Sequence, residues 1–153
     1  MIATRLLAAD PALPQVLSLI QTEFAYMDGL IDPPSSIHVL TLADLQNPAH
    51  EVWMIGRPPE ACVILTPKPP ALYIGKLAVA GHARRQRLAT VLINHAETRA
   101  RDLGLTHLEL QTRVELVGNQ AAFAAMGFVE TARTAHKGYT QPTSITYQRK
   151  VTL

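Results

Sequence analysis

The chain has 153 residues, 48% of them apolar and 17% charged, with a net charge of +2 at neutral pH. That length and apolar share fit one domain with a real core, and they exclude long disordered tails. The small net charge does not predict general nucleic-acid binding, so basic clusters are read locally. Cys62 is the lone cysteine, which excludes an internal disulfide or a cysteine zinc site and fits a reducing compartment. The first twenty residues are interrupted by Arg5, Asp10, Pro11 and Pro14, and no apolar stretch approaches membrane-span length. A soluble cytoplasmic protein, one domain over 1–153, is the expectation.

In chain order, residues 2–7 read as a short strand. Asp10 or the turn at Pro11 opens a helix through about Tyr26, with Val16, Leu17, Ile20 and Phe24 on one face. Residues 29–36 form a loop, and 41–47 a short helix with Thr41 as N-cap. Residues 51–56 and 60–66 are β-rich apolar runs split by Arg57-Pro58-Pro59, and so read as antiparallel neighbours. Residues 71–79 are apolar on both faces, as a central strand would be. A helix from about Arg87 to Leu103 carries Leu88, Val91, Leu92, His95 and Ala96 on one stripe, and Gly104 ends it. Residues 107–113 are a strand and 119–127 a short helix. Residues 128–134 and 144–151 are closing strands around a long loop, 135–143. The order β-α-α-β-β-β-α-β-α-β-β predicts an α/β fold: a mixed, mostly antiparallel central sheet flanked by helices, with one βαβ crossover from 72–79 to 107–111.

Arg84, Arg85 and Arg87 fall where a strand hands over to a helix. Basic side chains disfavour a helix start by about 0.3–1 kcal/mol each. Three of them together suit a bound anion such as a pyrophosphate, held by backbone N–H groups and arginine forks. A solvated basic turn fits the local charge equally well. Nucleic acid fits less well, because no aromatic stacking residues accompany the cluster. The phosphate loop of P-loop nucleotidases, the Rossmann glycine fingerprint and the serine nucleophile elbow are all absent. No histidines pair at metal-ligand spacing, so no metal is expected.

Residues 72–128 resemble the core of the GNAT superfamily of N-acetyltransferases. That family carries a Gln/Arg-x-x-Gly-x-Gly/Ala turn after its fourth strand. Arg84-Arg85-Gln86-Arg87-Leu88-Ala89 matches at Arg84 and Ala89 and departs at Arg87. The stretch Asn119 to Phe128 resembles a second signature, an asparagine and a small helix ending in Gly-Phe. The resemblance implies transfer of an acetyl group from acetyl-CoA to a primary amine, small or on a protein, by direct attack. It implies that pantetheine lies along Leu77, Ala78 and Val79, and that the diphosphate meets Arg84, Arg85, Gln86, Arg87, Leu88, Ala89 and Thr90. Asn119 and Phe123 would adjoin the pantetheine and thioester. Glycine at position 87 would let the backbone approach the phosphates; arginine fits there if its φ is helical.

Many relatives place an acid-donating tyrosine where this chain has Phe123. Tyr139 is then a candidate acid, with water as the alternative. Glu109 is a candidate orienter of a base water or an ion-pair partner. Tyr26, Asp28, Asp32 and His136 are candidate acceptor contacts, the acids suiting a cationic amine. A non-catalytic acyl-CoA-binding or regulatory module is the alternative function. The resemblance and the lightly protected closing strands suggest a homodimer. Specific nucleic acid and membrane partners are not expected.

Overall fold

The computed structural model describes residues 2–152. Its elements are β1 (Thr4–Leu6), α1 (Leu13–Phe24), α2 (Leu42–Gln46), β2 (Glu51–Ile55), β3 (Ala61–Lys68), β4 (Ala71–Val79), α3 (Leu88–Asp102), β5 (His107–Arg113), α4 (Val117–Ala125), β6 (Val129–Thr134) and β7 (Ser144–Lys150). Short 3-10 turns cover Ala25–Met27, Ser36–Val39 and Gly81–Ala83. The order is the one the sequence predicts.

Boundaries shift for local reasons. Asp10 does not cap α1. Its carboxylate accepts from the Ala12 N–H at 2.9 Å in the preceding turn, and the helix starts at Leu13 with Pro14 in its first turn. The α1 helix ends at Phe24 and tightens into a 3-10 turn that carries Tyr26. Thr41 caps α2 in a full capping box with Asp44.

The seven strands run in the order β1-β2-β3-β4-β5-β7-β6. All neighbours are antiparallel except β4 and β5. That parallel pair is the crossover through α3, as the strand order requires. One core joins α3 and α4 to the sheet through Leu65, Leu72, Leu92, Ala96, Leu108 and Ile145. A second joins α1 and α2 to the other face through Val16, Ile20, Val52, Met54, Cys62 and Ala78. Cys62 is fully buried, and burial pushes its thiol up to about 12, so it is an inert core residue at neutral pH.

Two irregularities in β4 shape everything that follows. Its pairing with β5 stops at Tyr73 and Glu109, after three residue pairs, and the strands then diverge. On its other side the register with β3 slips between Cys62 and Ile64, so that Lys76 and Leu77 oppose Val63 alone. Lys76 sits in this bulge with φ +51°. A bulge re-aims a side chain that regular pleating would place elsewhere.

Candidate active site in the splayed sheet

The divergence of β4 and β5 opens a cleft of about 580 Å³. Ile74 to Leu77 and Val79 form one wall and Leu110 to Arg113 the other. Asn119, Ala122 and Phe123 of α4, with Met126 just after it, close one end, while Phe24, Tyr26, Met27, Ser35 and Ser36 rim the cleft elsewhere. Beyond Tyr73 the β5-facing edge of β4 has no strand partner. Its outward N–H and C=O groups can therefore pair with an extended ligand, as a further strand would.

Beyond β4 the chain reaches the arginine turn and α3. No side chain caps this helix and its first turn holds no acid. The first amide with a helical acceptor is Val91, bonded to the Arg87 carbonyl at 3.1 Å. The amides of Leu88, Ala89 and Thr90 precede it at the positive end of the helix dipole, an arrangement suited to an anion. The turn itself differs from expectation. Arg87 does not take a helical φ: it is left-handed at +57°, and Arg85 is left-handed at +77°. Position 87 reverses the chain just before Leu88, and the left-handed geometry normally supplied by glycine is adopted here by arginine, at a steric cost of about 1–2 kcal/mol.

The seven residues of this turn divide by environment. Arg84 donates to Glu23 of α1 at 2.6 Å. Arg85, Gln86, Arg87 and Thr90 are exposed, Leu88 is core, and Ala89 lines the cleft. Leu77 and Val79 also line it, whereas the Ala78 side chain is buried among the α1-side core residues. Asn119 Nδ2 stands 3.5 Å from Thr112 Oγ1, and Phe123 packs obliquely against Phe128 and Tyr147 while facing the cleft.

Other residues singled out from the sequence lie elsewhere. Glu109 is buried at the base of the splay, where it accepts from Lys68 at 2.7 Å and Gln148 at 3.0 Å. It does not line the cleft. Tyr139 donates to Asp32 at 2.5 Å on the outer rim, and this bond holds its phenol above the usual tyrosine range. Asp28 faces His38 at 2.6 Å. Tyr139, Asp28 and Asp32 are all absent from the cleft wall, whereas Tyr26 and His136 are on it. His136 is bonded through Nδ1 to Thr143 Oγ1. His95 of α3 does not line the cleft and packs edge-on against Trp53 at 4.0 Å; burial, then the nearby Arg99 charge, lower its pKa.

Among the wall residues that sequence reasoning missed are four with basic or phenolic side chains. Tyr73 sits at the floor, its pKa raised by burial and by Glu109. His50 is bonded to Thr66 at 2.8 Å. Lys76 and Arg113 project from the two diverging strands. A lysine inside a predicted central strand was the one visible signal, since buried strand positions rarely carry an unpaired charge.

A parallel strand pair splayed around a cleft, with an uncapped helix start beyond it, defines the GNAT acyl-CoA N-acyltransferase fold. Solved structures share it. Aminoglycoside 6'-acetyltransferase type Ii superposes with a TM-score of 0.77 at 14% identity, over 100% of this chain and 99% of that one. The ribosomal-protein-S18-alanine N-acetyltransferase from Escherichia coli gives 0.71 at 18% identity, over 99% and 94%. A probable acetyltransferase from Staphylococcus epidermidis gives 0.74 at 13% identity, over 99% and 100%. At these identities the likeness is one of fold. No curated protein matches the chain. The model of the Acetyltransferase (GNAT) family matches residues 21–128, and the chain belongs to that family.

Proposed function

We propose that the protein is an acetyl-CoA-dependent N-acetyltransferase acting on a primary amine. The observation that carries this reading is the continuity of the unpaired β4 edge with the uncapped start of α3. Pantetheine would pair along Leu77, Ala78 and Val79. The diphosphate would meet the amides of the turn from Arg84 to Thr90, with Arg85 and Arg87 free to fold over it. Asn119 and Phe123 would flank the thioester arm.

The acceptor nitrogen, once deprotonated, would attack the thioester carbonyl from the side rimmed by Tyr26, Ser36 and His136. A β4 backbone N–H near Ala78 or Val79 would hold the developing oxyanion. The C–S bond then breaks, the thiolate leaves, and the proton lost by nitrogen passes to solvent. A thiol with a pKa of about 8.5 is a fair leaving group, so water suffices as its proton source. Glu109, held by Lys68 and Gln148, serves better as a positioning residue at the base of the splay than as a base. Asp28 and Asp32, held by His38 and Tyr139, shape the rim. The fully exposed strand β6 is the edge through which a homodimer would form.

The test is binding of CoA and acetyl-CoA by titration calorimetry, together with free-thiol release in the presence of an amine panel. Micromolar binding and amine-dependent thiol release are expected. Binding without release from any amine would instead favour a non-catalytic acyl-CoA-binding module, with Phe123 in place of an acid as its simplest cause. Absence of binding would overturn both.

A further inference from the structure

Two cations face the cleft from opposite walls, and both reach the same short loop. Lys76, turned inward by the β4 bulge, bonds through Nζ to Ser36 Oγ. Arg113, at the end of β5, donates to the carbonyl oxygens of Pro33 at 2.6 Å and Pro34 at 3.1 Å. Every one of these partners is neutral. Among the described residues, neither cation forms an ion pair within 4 Å. Among the described residues Asp44 is the single carboxylate on the cleft wall, and it is committed to capping α2 through the Thr41 N–H and hydroxyl. Asp32 and Glu115, the other acids near this loop, bond to Tyr139 and to the Asp32 N–H respectively, and neither lines the cleft.

Holding the loop uses one of the three Lys76 donors and two of the five Arg113 donors, and leaves neither cation paired with a carboxylate. Burial lowers the Lys76 pKa, and the Arg113 charge lowers it further; no carboxylate opposes either effect. Two half-buried like charges facing one cavity disfavour each other until an anion joins them. The diphosphate does not serve, since its expected seat is at the start of α3, beyond the far end of β4. A purely cationic acceptor would be repelled by this wall.

We infer that the acceptor is an amine that also carries a carboxylate, bound by Arg113 and Lys76 so that its nitrogen faces the β4 edge. This inference rests on the proposed acetyl transfer and narrows it to free amino acids or similar zwitterions, over protein N-termini and polyamines. The three N–H groups of Arg113 that the loop carbonyls leave over can meet a carboxylate in two bonds, which fixes orientation as well as affinity. Specificity then arises in KM for the acceptor.

The experiment compares matched trios with acetyl-CoA: each of the common amino acids, its α-amide and its decarboxylated amine. For at least one trio the acid should exceed its amide and amine at least tenfold in kcat/KM, mainly through KM. R113Q and K76Q should each reduce that preference at least fivefold while leaving acetyl-CoA affinity within twofold. R113K, which keeps the charge and can still hold the loop, should retain part of it; K76Q carries the test if R113Q fails to fold. Acetyl transfer in which amides or amines do as well as acids, or a preference untouched by the variants, overturns this inference and leaves the proposed function standing. If no amine reacts but CoA binds, thermal shifts of the CoA complex decide. Stabilisation by acids over amides, lost in K76Q, keeps Arg113 and Lys76 as a carboxylate seat but overturns the acceptor role together with the proposed transfer, whereas equal or no stabilisation overturns the seat as well. Failure to bind acetyl-CoA at all overturns the proposed function and the inference with it.

Discussion

Arg84 Nη2 lies 2.6 Å from Glu23 Oε1, tying the turn before α3 to the first helix across 61 residues of chain. The Glu23 side chain is 15% exposed and that of Arg84 60%, so the carboxylate anchors the pair and the guanidinium remains wet. Arg84 is thus already neutralised by protein. Arg84→Ala should weaken acetyl-CoA binding by no more than about 1 kcal/mol, the ordinary worth of an exposed ion pair. Arg85→Ala, whose exposed side chain forms no ion pair among the described residues, should cost more. Calorimetric titration of both variants ranks them, and a loss above tenfold for Arg84→Ala alone would show that Arg84 exchanges Glu23 for phosphate.

Arg87 holds a left-handed φ without the freedom of glycine. Arg87→Gly should remove that cost while raising the entropy of the unfolded chain by a smaller amount. A net gain of about 0.5–1 kcal/mol is expected, or roughly 1–4 °C in Tm for a chain of this size. Scanning calorimetry measures it. A lower Tm would mean that the arginine side chain makes stabilising contacts that outweigh its backbone.

Tyr139 donates its proton to Asp32 and stands outside the cleft wall. Its hydroxyl is therefore a fastener between the long loop and residues 29–36. Tyr139→Phe should leave kcat within twofold, with at most a rise in acceptor KM as the rim loosens. A fall of kcat of tenfold or more, within the usual range for losing a general acid, would place Tyr139 at the leaving thiolate after loop movement.

Glu51 and Arg99 form a two-pronged pair between β2 and α3, with bonds of 2.9 and 2.7 Å, and Trp53 donates to the same carboxylate at 2.9 Å. The Arg99 hydrogen bonds, ahead of the opposing effect of burial, hold the Glu51 carboxyl below its ordinary value of 4.5. Because the folded pKa is depressed, this stability is fully present above the unfolded carboxylate range and is lost as pH falls through the folded value. Glu51→Gln should cost about 1.5–3 kcal/mol at neutral pH and flatten the loss of stability as pH falls below the ordinary carboxylate value of 4.5. Urea unfolding at stepped pH checks both. Parallel curves for wild type and variant would show that the pair contributes nothing through its charge.

The order of elements was legible because it depends on local signals. Apolar periodicity set the strands and helices, Thr41 marked the start of α2, and Gly104 and Gly127 marked two helix ends. The turn from Arg84 to Ala89 was legible too, since a basic cluster at a strand–helix junction is a local pattern. The cleft was not. Its opening depends on where β4 and β5 stop pairing, which no property of either strand announces. Nor could periodicity assign the inward turn of Lys76, because a single extra residue in a strand reverses the side-chain phase beyond it. Asp28 and Asp32 looked like acceptor contacts while only their chemistry was known. Their partners, His38 and Tyr139, lie 10 and 107 residues away in the chain. The sequence by itself determined the family, the layers and the turn at the helix start, since each rests on neighbours within a few residues. Which charges face the cleft was decided by tertiary structure alone, because Lys76, Arg113 and the loop at 33–36 meet only when the bulge, the splay and the loop are formed together.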